Sequence, residues 1–149
     1  MGGDYYYGIS NGAKLERSKN PAAPFEPGPD LFPQGPEGRV RHVAVKLDGD
    51  AVSLFYTRIG DIPERIFLST VRLTPDWNQW RASEGMLVLP PEMPYEGADL
   101  PLEASKAGPA PGRVRQLRDP EIYREGAKTY LLYSVAGESG IATAELRLT

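Results

Sequence analysis

Apolar residues in this chain fall in short runs separated by turn formers, and Gly or Pro interrupts every stretch long enough to test for helical spacing. The pattern therefore predicts strands. The runs Val52–Tyr56 and Tyr130–Val135 alternate poorly and are apolar on both faces. A strand of that kind has to be covered on both sides, as when sheets stack face to face. A repeat organises the runs. Arg41 to Thr74 and Arg118 to Thr149, aligned from their first Arg, share a β-like run and then a turn at Asp48-Gly49 or Glu125-Gly126. Leu54-Phe55-Tyr56 then faces Leu131-Leu132-Tyr133, a Gly-containing turn and a third run follow, and both copies end in Arg-Leu-Thr. Each copy reads as a three-stranded meander, with acidic-Gly pairs where a hairpin needs positive φ.

The first copy has room for a fourth strand, at Trp80–Ala82 or Met86–Leu89. Before it, Tyr5–Ser10 reads as the third strand of an earlier sheet and Lys14–Arg17 as its fourth, turning at Asn11-Gly12. The Pro-rich stretches 21–38 and 90–112 read as connectors. The expected fold is all-β: about two and a half four-stranded antiparallel sheets in series, the sequence form of a β-propeller. Within one partial domain, 1–20 ends one blade, 39–89 forms a full blade, and 113–149 forms a last blade lacking its fourth strand. Blades bury their faces against neighbours, so open faces at either end imply closure by another chain or a second copy.

Composition narrows the function classes. Hydrophobic residues make up 40% and charged ones 25% of 149 residues, with a formal net charge of −3. Lys and Arg are dispersed, which argues against a nucleic-acid partner. No apolar run approaches the roughly 20 residues of a membrane helix, and the N-terminal segment lacks the basic-then-apolar order of a secretory signal. Localisation stays open. The absence of cysteine removes disulfides, thiolate metal sites and a cysteine nucleophile. There is no phosphate-binding Gly-rich loop with its Lys, no paired histidines at zinc spacing and no nucleophile elbow. No cofactor or metal is expected.

The segments RDPEIYREGAKTYLLYSVAGESGIATAEL and YYYGISNGAKLERSKNPA resemble blades of the five-bladed propeller superfamily of arabinanases, β-xylosidases, invertases and levansucrases. FYTRIGDIPERIFLSTV is similar to further members of that group. The resemblance implies a substrate pocket at one end of the ring axis, lined by the innermost strands. It also implies two carboxyl groups for hydrolysis, an acid and a base or nucleophile. In that family these groups come from the first three blades. A chain matching the C-terminal part would lack most of them.

Arg118 and Asp119 open the second copy, and Arg41 and His42 hold the matching places in the first. At the starts of inner strands, these four polar groups would face one pocket. Asp119 beside an Arg suits hydrogen bonds to sugar hydroxyls or stabilisation of positive charge; the bland alternative is a salt-bridged brace. His42 is the sole histidine. Glu96, in the second connector, is the candidate acid, against the alternative of a solvated loop carboxylate. Trp80, with Trp77, has the flat face that stacks on a sugar ring, or else packs in the core. Arg58, Asp61, Glu64 and Arg65 form an alternating charge cluster that reads as a salt-bridged turn, with Glu138 in the corresponding place of the second copy and an outer pocket contact behind it.

The resulting expectation is a glycoside-hydrolase-like propeller acting on or binding a saccharide, incomplete as an isolated chain. Asp119 and Glu96 are its candidate catalytic groups, and His42, Arg41, Arg118, Trp80 and Glu138 its candidate substrate-binding groups. The alternative is a non-catalytic carbohydrate-binding or structural piece that works through oligomerisation.

Overall fold

The computed structural model describes residues 4–33, 35 and 39–147. Met1–Gly3, part of the first connector (Gln34, Pro36–Gly38) and the closing Leu148-Thr149 of the second repeat lie outside the described residues. The fold is all-β, with three antiparallel meanders. The first joins β1 (Tyr6–Ser10), β2 (Lys14–Ser18) and β3 (Glu26–Asp30). The second joins β4 (Arg39–Asp48), β5 (Ala51–Ile59), β6 (Ile66–Arg72) and β7 (Met86–Leu89). The third joins β8 (Arg118–Glu125), β9 (Lys128–Val135) and β10 (Gly140–Glu145). Two single-turn 3₁₀ segments, Trp77–Gln79 and Pro94–Glu96, are the helical elements among the described residues. No helix among these residues is long and apolar enough to cross a membrane.

The two repeats fold as the same meander. Their first hairpins turn at Gly49 and Gly126, with φ of 59° and 58°, where a Cβ would be strained. Of the two stretches that could supply a fourth strand after β6, Met86–Leu89 does so. Ala82 makes only an isolated bridge to Val71.

β5 explains the stacking. Leu54 and Tyr56 point into a core shared with the first sheet, together with Ala13, Leu15, Val40, Trp77 and Trp80. Phe55, one residue out of phase, points to the other side and packs with Leu131, Tyr133 and Val135 of β9. Alternation along a strand sends neighbours to opposite faces, so a run apolar at every position is buried on both. β9 departs from this expectation. Leu131, Tyr133 and Val135 are buried, but on its other face Leu132 is only half-buried, beside exposed Tyr123 and Ile141.

The first sheet also differs from the sequence reading. Glu26–Asp30, inside a stretch read wholly as connector, pairs with β2 as an edge strand. Pro27 and Pro29 lack amide donors, which an edge strand tolerates on its open side. β1 runs near β4, which in turn lies beside β8, while β3 lies against the Trp77 turn at the far edge. β1 and β2 are thus the first two strands of a meander whose order matches the others, not a third and a fourth.

Candidate functional site

Both repeats carry a register irregularity near the start of their first strand, one residue apart in the repeat alignment. In β4 it falls between Val40 and Val43, and in β8 between Arg118 and Glu121. A bulge kinks the strand and re-aims its side chains. Here it separates each Arg from the residue that follows. Arg41 and Arg118 turn inward and are 6% and 1% exposed, while His42 and Asp119 turn outward and meet.

The inward pair shares one carboxylate. Glu64, fully buried, accepts from Arg41 Nε at 2.8 Å and Nη2 at 3.1 Å, and from Thr57 Oγ1 at 2.6 Å. Arg118 Nε lies 3.4 Å from its other oxygen. Arg118 also donates to Gln116 Oε1 at 2.6 and 3.0 Å and to Glu138 Oε1 at 2.8 Å. Two buried guanidinium groups are therefore held by two carboxylates, a side-chain amide and backbone carbonyls. Arg41 and Arg118 brace the junction of β4 and β8, which leaves them few donors for a ligand.

The outward pair makes the site. His42 Nδ1 lies 2.5 Å from Asp119 Oδ1, and Ser134 Oγ donates to Asp119 Oδ2 at 3.3 Å. A carboxylate only accepts, so Nδ1–H points to Asp119 and Nε2 is left for a ligand. Asp119 has φ of +47°, a left-handed conformation that Asp tolerates better than most residues. The His42 side chain is 56% exposed and that of Asp119 34%.

These two residues border an open cleft of about 660 Å³, lined also by Asn11, Lys14, Arg39 and Glu138. A smaller recess of about 320 Å³ shares Asn11, His42 and Asp119 with it. The second Pro-rich connector forms one wall through Ala107, Gly108 and Pro109. It is stitched down by Ser105, which exchanges backbone hydrogen bonds with Gly60 and Asp61, and by the Arg41 donation to the Lys106 carbonyl at 2.6 Å.

The remaining candidates lie elsewhere. Glu96 sits in the same connector but is buried; it accepts from the amides of Glu92 and Met93 and from Tyr133 Oη at 2.9 Å. Burial and the contact with Glu96 push the Tyr133 phenol well above its ordinary range. Trp80 is buried in the first core, its indole N–H donating to the Thr74 carbonyl at 3.0 Å. Neither residue lines the cleft. Glu138 is at its rim, where it accepts from Arg118 and from the Ala110 amide. The charge cluster divides: Arg65 pairs with Asp61 across one turn, while Glu64 goes inward to the arginines. From the sequence, Glu64 reads as part of a salt-bridged turn, and Asn11 and Lys14 as part of a hairpin in the sheet before the first repeat. The alignment of Arg41 with Arg118 was the one signal that two buried cations needed a shared anion.

The chain is 41% identical, over 157 aligned residues, to uncharacterized protein R118 of Acanthamoeba polyphaga mimivirus. That alignment takes in 95% of this chain and 43% of the viral protein. No family model matches the chain, and no solved structure matches it.

Proposed function

We propose that the chain is a propeller-like stack of blades that binds a saccharide in the cleft bordered by His42 and Asp119. The observation that carries this reading is the meeting of these two repeat-equivalent residues, each within a bulge, next to Asn11 and Lys14 at the same mouth. Together they offer carboxylate and amide oxygens and the imidazole Nε2 that accept, and amide and ammonium groups that donate, the mixture that sugar hydroxyls require. The cleft volume falls in the usual range for small-molecule sites.

The meander order supports a propeller arrangement. The first strands β1, β4 and β8 lie side by side, and the sheets stack through apolar layers. The apolar outer face of the third sheet, with Tyr123, Leu132 and Ile141, is where a further sheet or a second copy would continue the stack.

Binding is favoured over hydrolysis within this chain. Glycoside hydrolysis needs two carboxyl groups flanking the scissile bond. Asp119 is tied to His42, Glu138 to Arg118, and Glu96 is buried against Tyr133. Hydrolysis would require a second carboxyl group from outside these residues.

Titration with arabinan-, xylan- and fructan-derived oligosaccharides, followed by NMR of the His42 ring, tests the reading. Shifts at His42 that vanish in Asp119→Asn are expected; silence at His42 with all three would refute it.

A further inference from the structure

A second cleft, of about 810 Å³, opens on Arg58, Arg81, Ser83, Glu84 and Phe32, with Tyr56 beneath it. The residues lining it are distinct from those around His42 and Asp119. Arg58 is the unusual member. Its guanidinium lies over the Phe67 ring, 3.9 Å from the centroid, and its one hydrogen bond among the described residues is a long one of 3.5 Å to Tyr56 Oη. Its Nε is buried and has no hydrogen-bond partner among them. Among the described residues no carboxylate pairs with Arg58 or Arg81, whereas Arg41, Arg65 and Arg118 each have one. A cation held against an aromatic face and lacking its anion is incompletely compensated.

Gly85 leaves room for this guanidinium. A Cβ there would stand 2.7 Å from Arg58 Nη2 and 2.3 Å from Tyr56 Oη. Arg81 reaches the same cleft, its Nη1 donating to the carbonyls of Asn78 and Trp80. Two guanidinium groups against the single carboxylate of Glu84 leave one net positive charge, which matches a monoanion better than a phosphate dianion. Phe32 supplies apolar surface beside them.

We infer that this cleft binds a small organic monocarboxylate, its carboxylate on Arg58 and Arg81 and its apolar body against Phe32. A forked guanidinium recognises a carboxylate through paired charge-assisted hydrogen bonds, which Lys does not reproduce.

The test is calorimetric titration of the whole chain with benzoate, phenylacetate and inorganic phosphate at low ionic strength. Both carboxylates are expected to bind and to compete with each other. Arg58→Lys and Arg81→Gln should each weaken them by about tenfold or more, while Asp119→Asn leaves benzoate binding unchanged. Arg81 is exposed, so its variant reports on binding even if the Arg58 variant unfolds. Benzoate binding unaltered by Arg81→Gln overturns the assignment. So does phosphate binding without carboxylate binding, or no heat from any of the three probes.

Discussion

Arg41 and Arg118, equivalent residues of the two repeats, donate to the same backbone carbonyl, that of Gly108, at 3.1 and 3.2 Å. They also converge on the single buried carboxylate of Glu64. The junction of the second and third sheets is thus tied together at one point, with Glu138 supplying Arg118 a second carboxylate. Glu64→Gln removes that charge with almost no change in shape and leaves two buried cations short of an anion. The expected loss is about 3–5 kcal/mol, the cost of breaking a buried pair, read from the denaturant midpoint. A loss below about 1 kcal/mol, the scale of an exposed pair, contradicts the assignment.

Asp119 combines the proposed binding role with a strained backbone at φ +47°, and two variants separate them. Asn adopts the left-handed region readily, so Asp119→Asn should keep stability within about 0.5 kcal/mol. Asp119→Ala should lower it by about 1–2 kcal/mol, because an ordinary side chain is penalised there. Both should weaken saccharide binding equally. Thermal unfolding beside calorimetry separates the two effects.

Trp80 is a core residue packed beside Tyr7, the rings tilted by 38° with centroids 4.9 Å apart. Trp80→Phe should lower stability, by the loss of buried area and of the indole hydrogen bond, and leave saccharide affinity unchanged in the folded protein. Weaker sugar binding at unchanged stability would return Trp80 to the ligand.

Tyr133 has a raised pKa in the folded chain, first from burial and then from Glu96. Below its ordinary value near 10 both folded and unfolded states hold the proton, and its contribution to stability is intact. Above that value the unfolded chain releases the proton more readily, so stability falls as pH rises toward the folded pKa. Tyr133→Phe should lose about 1.5–3 kcal/mol near neutrality, the worth of a hydrogen bond to a buried carboxylate. Its stability should then decline less steeply in alkali. Parallel alkaline limbs for the two proteins would rule this out.

What the sequence made legible was set by local pattern. The doubly apolar run at β5 announced a sheet covered on both faces, and the spacing of Gly49 and Gly126 marked the hairpins. β3 was hidden because Pro27, Gly28 and Pro29 argue against a strand. Its Gly28 is needed for packing: a Cβ there would lie 2.7 Å from the Trp77 ring. The matched positions of His42 and Asp119 in the repeat point both to one pocket, but their hydrogen bond to each other is not legible there. The sequence sets Asp119 beside Arg118, which turns inward to Glu64 and Glu138 instead. The role of Glu64 is not legible either, since its partners come from distant strands and no spacing encodes a buried network. Glu96 and Trp80 had chemistry suited to a sugar site, but topology placed both in the interior, where hydrogen bonds to Tyr133 and Thr74 satisfy them.

Saccharide titration of the wild-type chain and of Asp119→Asn, observed at the His42 ring, bears most directly on the cleft. The account predicts saturable shifts at His42 with at least one of the arabinan, xylan or fructan oligosaccharides, lost in Asp119→Asn at unchanged folding. Shifts that persist in the variant, or a His42 ring that responds to none of the three, would contradict it.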